Sequence, residues 1–210
     1  MLNLKEILEP LSEQRPIFHS EADFQHSLAW TIHQKHPNAK IRLERPCTGR
    51  KGRIYLDIWI KLEGKRIGVE LKYKTKKLHT TVDGEEFKLR HQSAQDIARY
   101  DLLSDLQRIE GLLESSRLDY GFTLFLTNDA GYWRDSGHRN RVDEEFRIRE
   151  GRTISGGFTW ADHASDGTKR GREDPISISG DYTTSWSNYS KIKENSFRYL
   201  LFDADVGKGA

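Results

Sequence analysis

The sequence predicts a mixed α/β protein, with one sheet carrying helices on both faces. Three observations carry this expectation. The chain runs through helical and strand-like patterns in the order helix, hairpin, helix, strand, strand. The stretch "DYGFTLFLTND", residues 119–129, is an almost unbroken apolar run, as expected of a strand covered on both faces. And "YLDIWIKLEGKRIGVELKYK", Tyr55 to Lys74, places two apolar-alternating runs around a Glu-Gly turn.

Taken in order, residues 2–14 form a short amphipathic helix with Leu4, Ile7, Leu8 and Leu11 on one side. A second helix spans about Glu21 to Lys35. Ser20 caps it, Asp23 closes the box, Phe24, Leu28 and Ile32 form its buried stripe, and Pro37-Asn38 ends it. Ile41 to Arg45 reads as a strand, and "PCTGRKGR" as a basic loop leading into the hairpin. "KTKKLHTTVDGEE" reads as a polar loop. A long helix follows from about Phe87 to Glu114, with Ile97, Leu102, Leu106, Ile109 and Leu113 as its apolar positions. Residues 131–185 are rich in Gly, Asp, Arg and Ser and predict loops and short strands. "SFRYLLFDA" is a last core strand, and "DVGKGA" a frayed tail.

At 210 residues the chain fits one domain, or one domain with an embellishment, and is long enough to bury a sizeable core. A net charge of +2 identifies no partner, so what matters is where the basic residues lie. The single cysteine, Cys47, excludes an intrachain disulfide and a four-thiolate zinc site. The first residues lack the apolar core of a secretory signal, and no stretch is long and apolar enough to cross a membrane. The expectation is a soluble, cytoplasmic protein. Trp160, Trp186 and Tyr189 are expected in the core rather than as base-stacking platforms.

The hairpin holds the chemistry. With Glu63-Gly64 as a two-residue turn, Leu62 pairs with Lys65, Ile60 with Ile67, Ile58 with Val69 and Leu56 with Leu71, making one apolar face. The other face then holds Lys61 with Arg66, Trp59 with Gly68, and Asp57 with Glu70. Lys72 points to the same side, one step on. Directly opposed carboxylates lie about 5 Å apart at Cβ and repel. A hard divalent cation relieves them. Mg²⁺ suits, because it takes oxygen ligands and is often held by only one or two carboxylates, and the Leu71 carbonyl is a further candidate ligand. The alternative is a solvated face on which Lys72 and nearby arginines pair the acids. The apolar runs around both acids argue for inner strands, and "GRKGR" and "KYKTKK" flank them with positive charge suited to a polyanion.

Asp57 followed, after an apolar hairpin, by Glu70-Leu71-Lys72 resembles the PD-(D/E)xK nuclease superfamily, which includes many restriction endonucleases and the archaeal Holliday-junction resolvases. The residue before Asp57 is Leu56 rather than the proline of the literal motif. Glu21, in "SEADFQHSLAWTI", matches the helical glutamate that members often add. "SAQDIARYDLLSDLQRIE" resembles the helix that follows Glu-x-Lys, with Gln95 the candidate polar residue and Arg99 one turn on. The resemblance covers about residues 20–126 in element order.

It implies a restriction-endonuclease-like mixed sheet flanked by helices in a single domain over residues 1–210. The core would run over about 20–130 plus a strand at 196–204, with a loop- and β-rich embellishment over about 131–195. It also implies Mg²⁺-dependent phosphodiester hydrolysis by a DNA endonuclease, with Mn²⁺ a substitute. Asp57, Glu70 and Leu71 would hold the ion, Glu21 and Gln95 would assist, and Lys72 would orient or deprotonate the attacking water or stabilise the phosphoryl oxygens. Arg50, Lys51, Arg53, Lys74, Lys76 and Lys77 would hold the nucleic-acid backbone without reading its sequence. Restriction-like enzymes often dimerise to cut two strands, which leaves a homodimer open. The alternative is a nuclease-derived nucleic-acid-binding module that has lost catalysis.

Overall fold

The computed structural model describes residues 2–49, 52–135, 137 and 140–205. Arg50, Lys51 and residues 206–210 of the expected tail lie outside these, while Asp205, the first residue of that tail, ends the last strand. Helices α1 (Leu4–Gln14) and α2 (Glu21–Lys35) come first. Then follow strands β1 (Lys40–Gly49), β2 (Gly52–Leu62) and β3 (Lys65–Lys74), a small hairpin of β4 (Leu78–Val82) and β5 (Glu85–Leu89), and the long helix α3 (Gln95–Glu114). After β6 (Tyr120–Thr127) come β7 (Thr153–Phe158), the single turn α4 (Asp166–Lys169), β8 (Ile176–Thr183), β9 (Trp186–Ile192) and β10 (Asn195–Asp205).

The main sheet has six strands in the order β1-β2-β3-β6-β10-β9. Only β3 and β6 run parallel; the other neighbours are antiparallel. α1 and α2 bury Leu4, Ile7, Leu8, Leu11, Phe24, Leu28 and Ile32 against one face. α3 covers the other face, together with the segment carrying β7 and β8. The architecture is the expected mixed α/β sheet with helices on both sides. β9, from the stretch read as embellishment, is an edge strand of the main sheet, so the added element is shorter than residues 131–195. Trp160, Trp186 and Tyr189 are buried, as expected.

Two of the hairpin turns use the same device. Glu63 (φ 50°) and Gly64 (φ 78°) close β2–β3, and Asp83 (φ 50°) and Gly84 (φ 84°) close β4–β5, as a type I′ turn requires. The second turn corrects the expectation of a polar loop running into a helix at Phe87. Phe87 and Leu89 are strand residues paired with Thr80 and Leu78, and the helix begins eight residues later, at Gln95. His19 stacks on Phe87 with ring centroids 4.3 Å apart, which seats this hairpin against the start of α2.

Two glycines set the distance of α3 from the sheet. A Cβ at Gly121 would lie 2.2 Å from Ile109 Cγ2, and one at Gly68 would lie 2.5 Å from Leu118 Cδ1. The β-branched Ile109 has little rotamer freedom in a helix and cannot give way. Gly121→Ala is therefore expected to cost about 1–3 kcal/mol by overpacking, read as a lower urea midpoint. An unchanged midpoint would show that α3 tolerates displacement.

Candidate active site

The β2–β3 ladder follows the predicted register from Leu62↔Lys65 to Ile58↔Val69 and stops there. At Asp57 the strands part. On the β1 side, Leu43↔Ile58 and Arg45↔Leu56 are paired, while Glu44 (φ 48°) and Asp57 between them are not. Gln25 fills the gap, its Nε2 donating to Glu44 Oε1 and to the Asp57 carbonyl, both at 2.8 Å. The kink turns Leu56 to the α3 face, where it packs near Gly68, while Ile58 and Leu71 stay on the α1/α2 face. The expected Leu56–Leu71 pair is thereby corrected. A strict two-residue alternation does not survive a break in the ladder.

Where β2 leaves, carboxylates take over. Asp57 Oδ2 accepts the Leu71 amide at 2.7 Å, and Glu21 Oε2 accepts the Tyr73 amide at 2.7 Å. Two acids, from a neighbouring strand and from the start of α2, thus satisfy successive outward amides of β3. Asp57 is drawn to Glu70 and Lys72 by this bond.

α3 supplies two further charges that the sequence reading did not single out. Asp105 is 2.6 Å from Lys72 Nζ and 3.0 Å from Arg108 Nη2, and Arg108 Nη1 lies 2.5 Å from Glu70 Oε1. Lys72 Nζ also reaches the Leu71 carbonyl, at 3.3 Å. Three carboxylates (Asp57, Glu70, Asp105) and two cations (Lys72, Arg108) therefore share one pocket between the sheet and α3. A signal for Asp105 existed. It stands three residues after Leu102 and four before Ile109, within the apolar stripe of the helix.

The imbalance of charge shows in the ionisation of the acids. Glu70, only 1% exposed, is pushed well above the usual carboxylate range by burial and by the negative charge of Asp105 and Asp57, against the pull of Arg108. Asp57 is raised by burial and by Asp105, against the Leu71 amide and Lys72. For Lys72, burial alone would lower the pKa. The ion pair with Asp105, aided by Asp57 and Glu21, outweighs it and holds the ammonium charged. The expected direct pairing of Asp57 with Glu70 across the ladder is not made, since the ladder ends at Ile58↔Val69; the two carboxylates interact because Asp57 turns back onto the Leu71 amide.

Glu70 binds its proton more tightly in the folded than in the unfolded chain. Its contribution to stability is complete below about pH 4.5 and is lost as the pH rises through the folded value. Glu70→Gln keeps the acceptor for Arg108 and removes the charge. In EDTA at pH 7 it is expected to melt about 2–4 °C higher than the parent, the worth of about 1 kcal/mol in a chain of this size. The gain should vanish near pH 4. A lower melting temperature at pH 7 would contradict the proposed crowding.

Gln95 is not part of this pocket. Its Nε2 donates to Asp129 Oδ2 at 2.5 Å, and its Oε1 accepts from Arg99 at 3.0 Å. Ten residues of helix, about 15 Å, separate it from Asp105. Arg99 is ion-paired with Asp143 and donates to the Gly131 carbonyl. These two residues, expected to reach the site, instead tie the segment after β6 to the start of α3.

Of the expected backbone-binding residues, Arg50 and Lys51 fall outside the described residues. Arg53 lies over the Tyr55 ring at 5.3 Å. Lys74 is 3.7 Å from Glu21, Lys76 is 3.2 Å from Asp129, and Lys77 is exposed. Among the described residues no three His, Cys, Asp or Glu side chains come together closely enough to hold a metal ion by themselves. No helix among them is long and apolar enough to cross a membrane.

No family model, curated protein or solved structure matches this chain.

Proposed function

We propose that this protein is a metal-dependent nuclease of the restriction-endonuclease-like class, hydrolysing phosphodiester bonds of nucleic acid, with DNA the favoured substrate. The observation that carries the reading is the meeting of Asp57 with Glu70 and Lys72 where β2 parts from β3, with Glu21 bonded to the next amide. A mixed sheet with a helix before the hairpin and another after it agrees with what the resemblance implies.

The donor set suits a hard cation. Asp57 and Glu70 are crowded oxygen donors, hydrogen-bonded to each other, whose ionised forms are disfavoured without added positive charge. Asp57, Glu70 and the Leu71 carbonyl would hold Mg²⁺, with waters completing the shell and Mn²⁺ a substitute. Bound there, the ion would lower the pKa of a water and offset charge on the phosphoryl oxygens. Lys72, held as an ammonium by Asp105, serves as a fixed positive charge for those oxygens rather than as a base. Glu21 orders the end of β3 that carries Lys72. Arg53, Lys74, Lys76 and Lys77 offer sequence-independent contacts to phosphates.

The test is cleavage of linear, supercoiled, single-stranded and branched DNA, and of RNA, with Mg²⁺, Mn²⁺ or EDTA. Metal-dependent cleavage by the parent, lost in folded Asp57→Ala and Glu70→Ala, is expected. No cleavage of any substrate with either metal would reject the enzyme. One observation favours a second reading, the binding module without catalysis: Arg108 already pairs with Glu70. Binding of nucleic acid without cleavage would support it.

A further inference from the structure

Arg108 faces two environments. Inward, it holds Glu70 Oε1 at 2.5 Å and Asp105 Oδ1 at 3.0 Å. Outward, it lines a cavity of about 810 Å³ that runs along α3, past Ser104, Gln107 and Arg117, to Thr48 and Arg172 on the facing segments. Its side chain is 29% exposed, whereas the two carboxylates it bridges are almost wholly buried.

We infer that Arg108 is a resident cation that occupies the metal's position at Glu70 and must release that carboxylate when a divalent ion binds. The inference rests on the nuclease reading of the site and adds a built-in competitor to it. Three carboxylates meet two cations in the pocket. A doubly charged ion at Asp57 and Glu70 would overfill that balance while the guanidinium stayed, and the two would repel across a few ångströms of desolvated space. Lys72 is the poorer candidate for displacement. It is anchored on the buried Asp105 Oδ2 at 2.6 Å, and its pairing does not involve Glu70. Arg108 has a long side chain, a partner three residues back on its own helix and an adjoining cavity to receive it. In that cavity its planar fork would be free to meet a phosphate, for which guanidinium geometry is suited. Metal entry and the release of a phosphate-binding group thereby become one event.

The experiment is a calorimetric titration of the full chain with Mn²⁺ and with Mg²⁺, without nucleic acid, in the parent, Arg108→Gln and Arg108→Lys. Melting temperatures are recorded in EDTA and in metal. Arg108→Gln is expected to bind metal about 10- to 100-fold more tightly than the parent, the range over which neighbours of ligands tune affinity. It should melt lower in EDTA and gain more from metal. Arg108→Lys, with charge kept but the fork lost, should fall between. Equal or weaker binding by Arg108→Gln, with the parent still binding, would overturn the inference and leave the site reading standing. Failure of the parent and both variants to bind either ion would remove both. If Arg108→Gln does not fold with or without metal, Arg108→Lys decides: tighter binding than the parent supports the competitor, and equal or weaker binding overturns it.

Discussion

On the proposed nuclease reading, Lys72→Met is expected to slow phosphodiester cleavage by about 10²–10³-fold, the usual cost of removing one preorganised charge from a developing anion. The reason is positional. Lys72 Nζ is 2.6 Å from Asp105 Oδ2 and 3.3 Å from the Leu71 carbonyl, so its ammonium stands beside the carbonyl assigned to the metal. Its pKa is displaced upward, because the attraction of Asp105, Asp57 and Glu21 exceeds the penalty of burial. A lysine held protonated donates and cannot accept, so the rate should show no rise with pH owed to its deprotonation. Lys72→Arg separates the two roles. Arginine remains charged throughout the accessible range, so it should recover part of the lost rate if charge is what Lys72 supplies. If Lys72→Arg is as inactive as Lys72→Met, and the parent's rate climbs with pH through an alkaline limb that both variants lack, the lysine is a base and the present assignment fails.

The largest effect on stability is expected at Asp143, far from this chemistry. Asp143 and Arg99 form an ion pair with side chains only 5% and 3% exposed. Asp143→Ala leaves the Arg99 guanidinium buried beside the ring of Tyr132, with only neutral partners in Gln95 and the Gly131 carbonyl. Breaking such a pair from one side costs about 3–5 kcal/mol, enough to threaten a fold of ordinary stability. Chemical denaturation measures it directly. Removing both charges, in Arg99→Met with Asp143→Ala, should cost clearly less than the two single losses combined, because no buried charge is then left alone. Additive losses would mean that the pair is not coupled.

How much of this was legible beforehand follows from the range of each signal. α2 begins and ends where Ser20 and Pro37-Asn38 place it, and α1 buries the four apolar residues its spacing selects. Capping and periodicity act within a turn or two of chain, so one reading along the sequence suffices. The β2–β3 register was equally local, since Glu63-Gly64 sets it. The β4–β5 hairpin carries the same turn chemistry at Asp83-Gly84. It was missed because Thr80, polar by type, is buried opposite Phe87, which breaks the apparent alternation. Gln95 was misplaced because the start of α3 was set at Phe87, which hid how far along the helix the pocket lies.

The sequence alone determined the mixed α/β class, both N-terminal helices, and the β2–β3 register from Leu62↔Lys65 to Ile58↔Val69, since each depends on neighbours close in the chain. Tertiary structure decided the site. Asp105 and Arg108 lie more than thirty residues beyond Glu70. They reach it only because Gly68 and Gly121 let Ile109 settle onto the sheet. Which charges balance a buried carboxylate depends on how closely two layers pack, and that is a property of the assembled core rather than of any one segment.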